Sequence, residues 1–171
     1  HAGCDFESII TALRGKGLQE SSASDYATNQ RNYSEYAQEL WRAARSASGT
    51  VVEAYLQSRG YIGSIPESLR FHPRLNHGPS GRTFPAMVAA IMLYPHRNVE
   101  AIHRTYLDHD GEGKALVEPA KMMLGAAGGG AVRFGAFAGD TLWVAEGIET
   151  SLSIFLATGK PTWATLSTSG M

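Results

Sequence analysis

This sequence of 171 residues is short of several features, and each shortage excludes a class of protein. Its single cysteine, Cys4, allows no internal disulfide and fits a reducing compartment. No apolar run approaches membrane-spanning length, and no segment has the pattern of a cleavable signal, so we expect a cytoplasmic protein with no membrane partner. The net charge is -1, so any nucleic-acid contact depends on a local basic patch.

What is present is typical of a globular protein. Hydrophobic residues make up 43% and charged residues 18%, and 171 residues can bury a real core in one domain or slightly more. The sequence begins at His1 without a methionine, so we expect it to be part of a longer chain.

Apolar spacing predicts two helices in the first third of the chain. One apolar face comprises Tyr36, Ala37, Leu40, Trp41 and Ala44, and a second comprises Val51, Val52, Tyr55 and Leu56. Thr50 is placed to cap the second helix, and we expect the two to pack as a hairpin. Residues 14–32 lack periodicity and are predicted to be a linker.

Two strands are predicted next, at residues 86–93 and 99–107, as an antiparallel pair about a short turn. Residues 74–85 before them are predicted to form a loop. In the second strand, alternation puts Arg104 on one face, with Ile102 and Tyr106, and His103 on the other, with Thr105 and Leu107.

The carboxyl-terminal part predicts a βαβ unit with a parallel pair of strands. An apolar run at 142–145 is followed by Glu146, by a helix over 148–158 that Gly159 stops, and by a second strand at 162–166. Together with the preceding helices and antiparallel strands, this predicts an α+β fold. Ligands gather at the carboxyl ends of parallel strands, where Glu146 lies.

Two carboxylates near this turn have different expected roles. A carboxylate directly after a buried strand needs a compensating group, such as a divalent cation, which makes Glu146 a candidate site residue. Glu149 is better explained as a complement to the positive end of the helix.

Two further motifs suggest ligand sites but have simpler explanations. Asp108 and Asp110 are spaced to share a cation, but Asp-Gly after a strand is a standard turn and the other ligands of a calcium loop are missing. The glycines at 125–130 lack the Gly-Lys-Ser/Thr of a phosphate-binding loop, so they predict a flexible connection.

The run Val-Ala-Glu-Gly-Ile-Glu-Thr-Ser-Leu at 144–152 resembles the first motif of the Toprim (topoisomerase-primase) domain, most closely its form in phage- and plasmid-type DNA primases. The resemblance implies that Glu146 serves metal-dependent phosphoryl transfer with Mg²⁺ or Mn²⁺, acting on the metal or as a base. In that family a later Asp-x-Asp also binds the cations. No such pair follows Glu146 before Met171, so we expect the site to be incomplete in this sequence.

Other segments resemble the same family. Residues 54–61 and 69–73 resemble the start of a primase RNA-polymerase domain, and Cys4 before a predicted helix resembles the last ligand of a zinc ribbon, which would hold Zn²⁺ only with ligands upstream. Arg104 followed by Pro-x-Lys resembles the basic ridge of bacterial primases, although the flanking residues differ. This implies phosphate contacts by Arg104, Lys121 and, with less support, Lys114.

The resemblance implies a division of the chain and a function. Residues 1–20 would be the tail of a zinc-binding module, 21–32 a linker, 33–139 the first part of the polymerase domain, and 140–171 the start of a Toprim-like subdomain. The implied function is a DNA primase, which synthesises RNA primers from ribonucleoside triphosphates on a single-stranded DNA template, with a replicative helicase as a candidate partner. The alternatives are a non-catalytic nucleic-acid-binding module of a mobile-element protein and a Toprim-type nuclease.

Overall fold

The computed structural model describes residues 23–166, with side chains from residue 28 onward, and confirms the predicted α+β class. The helices of this region are α1 (Ala23–Ala43), α2 (Val51–Ser58) and α3 (Ile148–Thr158). The strands are β1 (Arg45–Ser46), β2 (Leu69–His77), β3 (Arg82–Met92), β4 (Val99–Tyr106), β5 (Lys121–Gly125), β6 (Val132–Phe134), β7 (Trp143–Ala145) and β8 (Thr162–Ala164). None of these helices is long and apolar enough to cross a membrane.

The main sheet has five antiparallel strands in the order β1-β2-β3-β4-β5. Side chains of β3 alternate between two apolar clusters, with Met87 and Ile91 in one and Ala86 and Val88 in the other. Both faces of the sheet are therefore covered, and the middle of β3 is buried on each side.

The two amino-terminal helices lie on opposite faces of this sheet. Helix α1 packs through Ala37 and Leu40 in the cluster that contains Val88, whereas α2 packs through Val52 and Tyr55 in the cluster that contains Met87. The predicted helical hairpin is therefore wrong. Each helix has its own apolar stripe, and a sheet with two apolar faces buries more area by taking one helix on each face.

Two predicted irregular segments are more regular than expected. Helix α1 begins at Ala23, so residues 23–32 of the predicted linker are helical although their side chains from 28 onward are mostly exposed. The loop predicted at 74–85 shortens to a 3-10 turn at Gly78–Ser80, because β2 continues to His77 and β3 begins at Arg82. In both segments many residues are polar and exposed to solvent, so the sequence lacks the apolar spacing from which helices and strands are predicted.

The predicted βαβ unit is confirmed. Strands β7 and β8 pair in parallel through Ala145 and Ala164, and α3 connects them and ends at Gly159 in the left-handed conformation. Strand β6 adds an antiparallel partner to β8, which gives the order β6-β8-β7. Backbone hydrogen bonds of 3.1 Å between Met92 and Ala131, one in each direction, join this sheet to the end of β3.

The acidic segment after β4 forms the predicted turn. The Glu112 N–H donates to the Asp110 carboxylate at 3.1 Å, and the Gly113 N–H donates to the Asp108 carboxylate at 3.0 Å. Gly111 has a φ of 80°, and a Cβ at this position would lie 2.6 Å from the Val51 carbonyl oxygen. The turn therefore packs against the start of α2.

Replacing Gly111 with alanine should lower the free energy of unfolding by more than the cost of the backbone conformation, because the added Cβ also clashes with α2. Gly81→Ala is the matched control, because Gly81 also has a positive φ of 65° but a Cβ there would meet nothing within 4 Å. We expect about 1 kcal/mol from the backbone conformation in both variants and a further 1–3 kcal/mol from overpacking at Gly111. Equal losses in urea unfolding would show that the turn does not pack on α2.

Candidate functional site

Glu146 lies at the carboxyl end of β7, in the turn that leads into α3. Its carbonyl oxygen accepts the Leu166 N–H at 2.9 Å, and the preceding Ala145 carbonyl accepts the Thr165 N–H at 3.0 Å. The segment after β8 therefore holds the turn, while the Glu146 side chain is exposed to solvent. Gly147 is the N-cap of α3 and, as a glycine, makes no side-chain capping hydrogen bond.

An open cleft of about 430 Å³ lies beside this turn. The two sheets line it together: His103 and Lys121 come from β4 and β5, and the βαβ unit supplies the rest. The latter residues are Glu146, Gly147, Ile148, Thr150 and Leu166. Leu166 has a φ of 65°, a left-handed conformation that costs a residue with a bulky side chain on the order of 1 kcal/mol or more.

A hydrogen-bonded ion pair connects strand β5 of the main sheet to helix α3 at the edge of the cleft. The Lys121 ammonium donates to the two Glu149 carboxylate oxygens at 3.1 and 3.3 Å, and the buried Tyr55 hydroxyl donates to Glu149 at 2.8 Å. Burial alone would raise the pKa of Glu149. Its own backbone N–H, Lys121 and Tyr55 together hold that pKa below the ordinary value.

Tyr55 responds to the same arrangement in the opposite direction. Burial is the main reason that the pKa of its hydroxyl is raised, and the adjacent Glu149 carboxylate raises it further. The hydroxyl therefore keeps its proton and remains a donor to Glu149. Three elements, α2, β5 and α3, are thus connected through one carboxylate.

His103 lies in the wall of the cleft on β4 and is only 8% exposed. Burial is the largest cause of its pKa being lowered to about 4, and the positive charges of Lys121, Arg104 and Lys114 add to the effect against the opposing charge of Glu149. The imidazole is therefore neutral at pH 7. Its Nδ1 and the Oγ1 of Thr105, on the same face of β4, are buried and have no hydrogen-bond partner among residues 23–166.

The structure brings together two of the residues predicted from the sequence, because Glu146 and Lys121 line the same cleft. Lys114 does not line it, and its positive charge is the smallest contribution to the lowered pKa of His103. In an antiparallel pair, directly opposed residues share a face of the sheet, so the pairing of Lys121 with Thr105 puts Lys121 on the His103 side.

Arg104 does not join them, because it faces the opposite side of the sheet. It is 8% exposed, and its guanidinium donates to the Met123 carbonyl at 3.0 Å and to the Tyr106 hydroxyl at 3.4 Å. Arg104 therefore lies on the other face of the sheet from the cleft that Lys121 lines, and its phosphate contact stays a prediction. Alternation along β4 already placed Arg104 and His103 on different faces, but the sequence did not show which face holds the cleft.

Two contributors were not recognised from the sequence as site residues. The sequence places His103 on one face of β4 but does not mark it as a site residue. Glu149 is expected to complement the positive end of α3, and the structure adds its ion pair with Lys121. The contact of Glu149 with Tyr55 spans 94 positions along the chain. No local pattern signals such a contact.

The metals implied by the resemblance can be compared with the side chains present. No group of three or more His, Cys, Asp and Glu residues that could hold a metal ion occurs within residues 23–166. Glu146 is an exposed carboxylate, and Mg²⁺ is commonly held by one or two carboxylates together with substrate phosphates, so Glu146 fits as one ligand. Cys4, the predicted zinc ligand, lies outside the described residues.

Comparison with known proteins identifies a family without assigning an activity. Residues 31–134 match a family model described as a domain of unknown function, DUF7146. The chain belongs to this family. The match extends from α1 to β6, so it includes His103, Lys114 and Lys121 but not Glu146. No curated protein and no solved structure matches the chain significantly.

The low pKa of His103 predicts a specific pH dependence of stability. Its folded pKa of about 4 lies below the ordinary 6.5, so the unfolded chain takes up a proton first, and stability is lost as the pH falls from about 6.5 towards 4. Relative to His103→Gln, the wild type should lose on the order of 3 kcal/mol over this range in urea unfolding. His109→Gln, a change in the exposed turn, is the control. Parallel curves for wild type and His103→Gln would contradict the assignment.

Proposed function

We propose that the protein takes part in template-directed synthesis of RNA primers on single-stranded DNA by metal-dependent nucleotidyl transfer, as a DNA primase. The observation that carries this proposal is the position of Glu146. It is an exposed carboxylate at the carboxyl end of a parallel strand, at a cleft whose wall includes Lys121. The Toprim-like sequence around Glu146 supplies the reaction class.

The reaction needs groups that bind phosphate and groups that handle a proton. The 3′-hydroxyl oxygen of the growing strand forms a bond to the α-phosphorus of a ribonucleoside triphosphate. The bond to the β-phosphate oxygen breaks, and pyrophosphate leaves with the electron pair. Mg²⁺, which Glu146 would help to hold, would stabilise the negative charge that develops in this step. Glu146 acts as a ligand of the metal or as the base that accepts the hydroxyl proton.

Lys121 is suited to bind the triphosphate while it stays attached to the fold. Its side chain is 37% exposed, and two of the three donors of an ammonium group are accounted for by the two oxygens of Glu149. The remaining donor is available to a phosphate oxygen. Lys114 adds a second positive charge nearby, whereas neutral His103 adds none at pH 7. The positive charge offered to phosphate therefore comes from the two lysines.

The second candidate is a nucleic-acid-binding module without catalytic activity. It is favoured by the composition of the cleft, because Glu146 is the only carboxylate that lines it within the described residues. This candidate and the primase both require contact with nucleic acid. They differ in whether Glu146 is needed for a chemical step.

Replacing Glu146 with glutamine tests the catalytic role. In the full-length protein, with Mg²⁺, ribonucleoside triphosphates and a single-stranded template, we expect primer synthesis to fall by at least about 100-fold, because the amide neither carries the charge nor accepts the proton. Glu112→Gln, which removes an exposed turn carboxylate, should leave the rate unchanged. Full activity of Glu146→Gln would remove the proposed role, and synthesis by no form of the protein would favour the non-catalytic candidate.

The lysines are tested through the salt dependence of triphosphate binding. Lys121→Ala and Lys114→Ala should each weaken binding of a fluorescent ribonucleoside triphosphate and flatten its dependence on salt, because each variant loses one phosphate contact. Lys160→Ala, which removes an exposed lysine after α3, is the control. If all three variants bind with the wild-type salt dependence, the cleft does not hold the phosphates.

A further inference from the structure

A second open groove, of about 550 Å³, lies where the end of the main sheet meets the small sheet. It shares no lining residue with the cleft around Glu146. Its aromatic walls come from α1, from the turn between β3 and β4, from β8 and from the segment after β6. The residues are Trp41, Tyr94, Trp163 and Phe137.

Three of these rings form a cluster with exposed surface. The ring of Tyr94 lies 5.6 Å from Trp163 and 6.3 Å from Phe137, and Phe137 lies 6.1 Å from Trp163, measured between centroids. Tyr94 is 60% exposed and Phe137 is 37% exposed. Aromatic rings that pack on one another while still facing solvent provide flat apolar surfaces on which another ring can stack.

Two arginines lie over aromatic rings of the groove. The Arg133 guanidinium carbon is 4.7 Å from the Trp163 centroid and 5.6 Å from that of Tyr94, and Arg70 lies 4.2 Å from the centroid of Trp41. Arg133 and Trp163 are directly opposed on β6 and β8, on the face away from the core. This register fixes their contact.

The groove carries positive charge that the described residues do not neutralise. Arg133 donates to the carbonyls of His96 and Met92, and Arg70 donates to the carbonyl of Trp41, so backbone oxygens hold both guanidinium groups in place. No carboxylate of the described residues pairs with them or with exposed Arg97. Glu67 is the one acidic side chain in the lining. The groove is thus complementary to an anionic ligand with apolar rings.

We propose that this groove binds unpaired bases of single-stranded DNA, which stack on Tyr94, Phe137 and Trp163 while Arg97, Arg133 and Arg70 face the phosphates. Stacked aromatic residues within a positively charged groove are how single strands are bound without sequence preference. Duplex DNA would not stack on these rings, because its bases are already stacked on one another. The proposal rests on the proposed function only in that single-stranded DNA is the partner, and it does not require catalysis at Glu146.

The first test is the anisotropy of a labelled oligodeoxythymidylate of about 12 nucleotides, titrated with the protein without nucleoside triphosphate. Tyr94→Ala should weaken binding on the order of tenfold through lost stacking. Arg97→Ala should lower the slope of the logarithm of affinity against the logarithm of salt concentration by about one, because one phosphate contact is lost. Both residues are exposed, so the fold should survive, which circular dichroism and thermal unfolding check.

The matched controls are Tyr33→Ala and Arg74→Ala, which remove an equally exposed tyrosine and an exposed arginine outside the groove and should bind as the wild type does. An abasic oligonucleotide of the same length should also bind more weakly. Wild-type affinity of Tyr94→Ala and Arg97→Ala, or equal binding of the abasic strand, would overturn the proposal. Primer synthesis is a separate readout, so loss of the groove site and loss of the catalytic role are distinguishable.

Discussion

The arrangement of the molecule depends on burying a five-stranded sheet on both faces. Alternate residues of β3 belong to different apolar clusters, so neither face can be left to solvent without losing a large area of apolar contact. Helix α1 covers one face, and α2 together with the βαβ unit covers the other. The two helices are separated for this reason, and the cleft around Glu146 lies on the side that the βαβ unit covers.

The sheet face that α2 and the βαβ unit cover carries charged and polar groups, which become partly buried. Lys121 comes from strand β5 and Glu149 from helix α3, and their contact is acceptable because the Tyr55 hydroxyl and a backbone N–H complete the carboxylate's hydrogen bonds. His103 avoids the cost of a buried charge by remaining neutral. Beside this network, the Nδ1 of His103 and the Oγ1 of Thr105 are buried without a hydrogen-bond partner among the described residues.

The small sheet connects the two proposed binding sites. Its strand β8 puts Ala164 into the core beneath α3 and Trp163 on the outer face beside Arg133, while Glu146 directly follows the neighbouring strand β7. One short sheet therefore contributes the carboxylate of the cleft and the stacking ring of the groove. Period-two alternation makes this possible, because adjacent residues of a strand serve opposite sides.

The sequence by itself determined the local elements: the α+β class, the antiparallel β3–β4 pair, the turn at Asp108–Gly113 and the βαβ unit with Glu146 after its first strand. Each of these depends on spacing or turn chemistry within a short window. Tertiary structure alone decided that the two helices take opposite faces, that Arg104 faces away from Glu146, and that Tyr55, Lys121 and Glu149 meet. These outcomes depend on which apolar surfaces bury each other across the whole chain. Local periodicity fixes the face on which a residue lies, but not what covers that face.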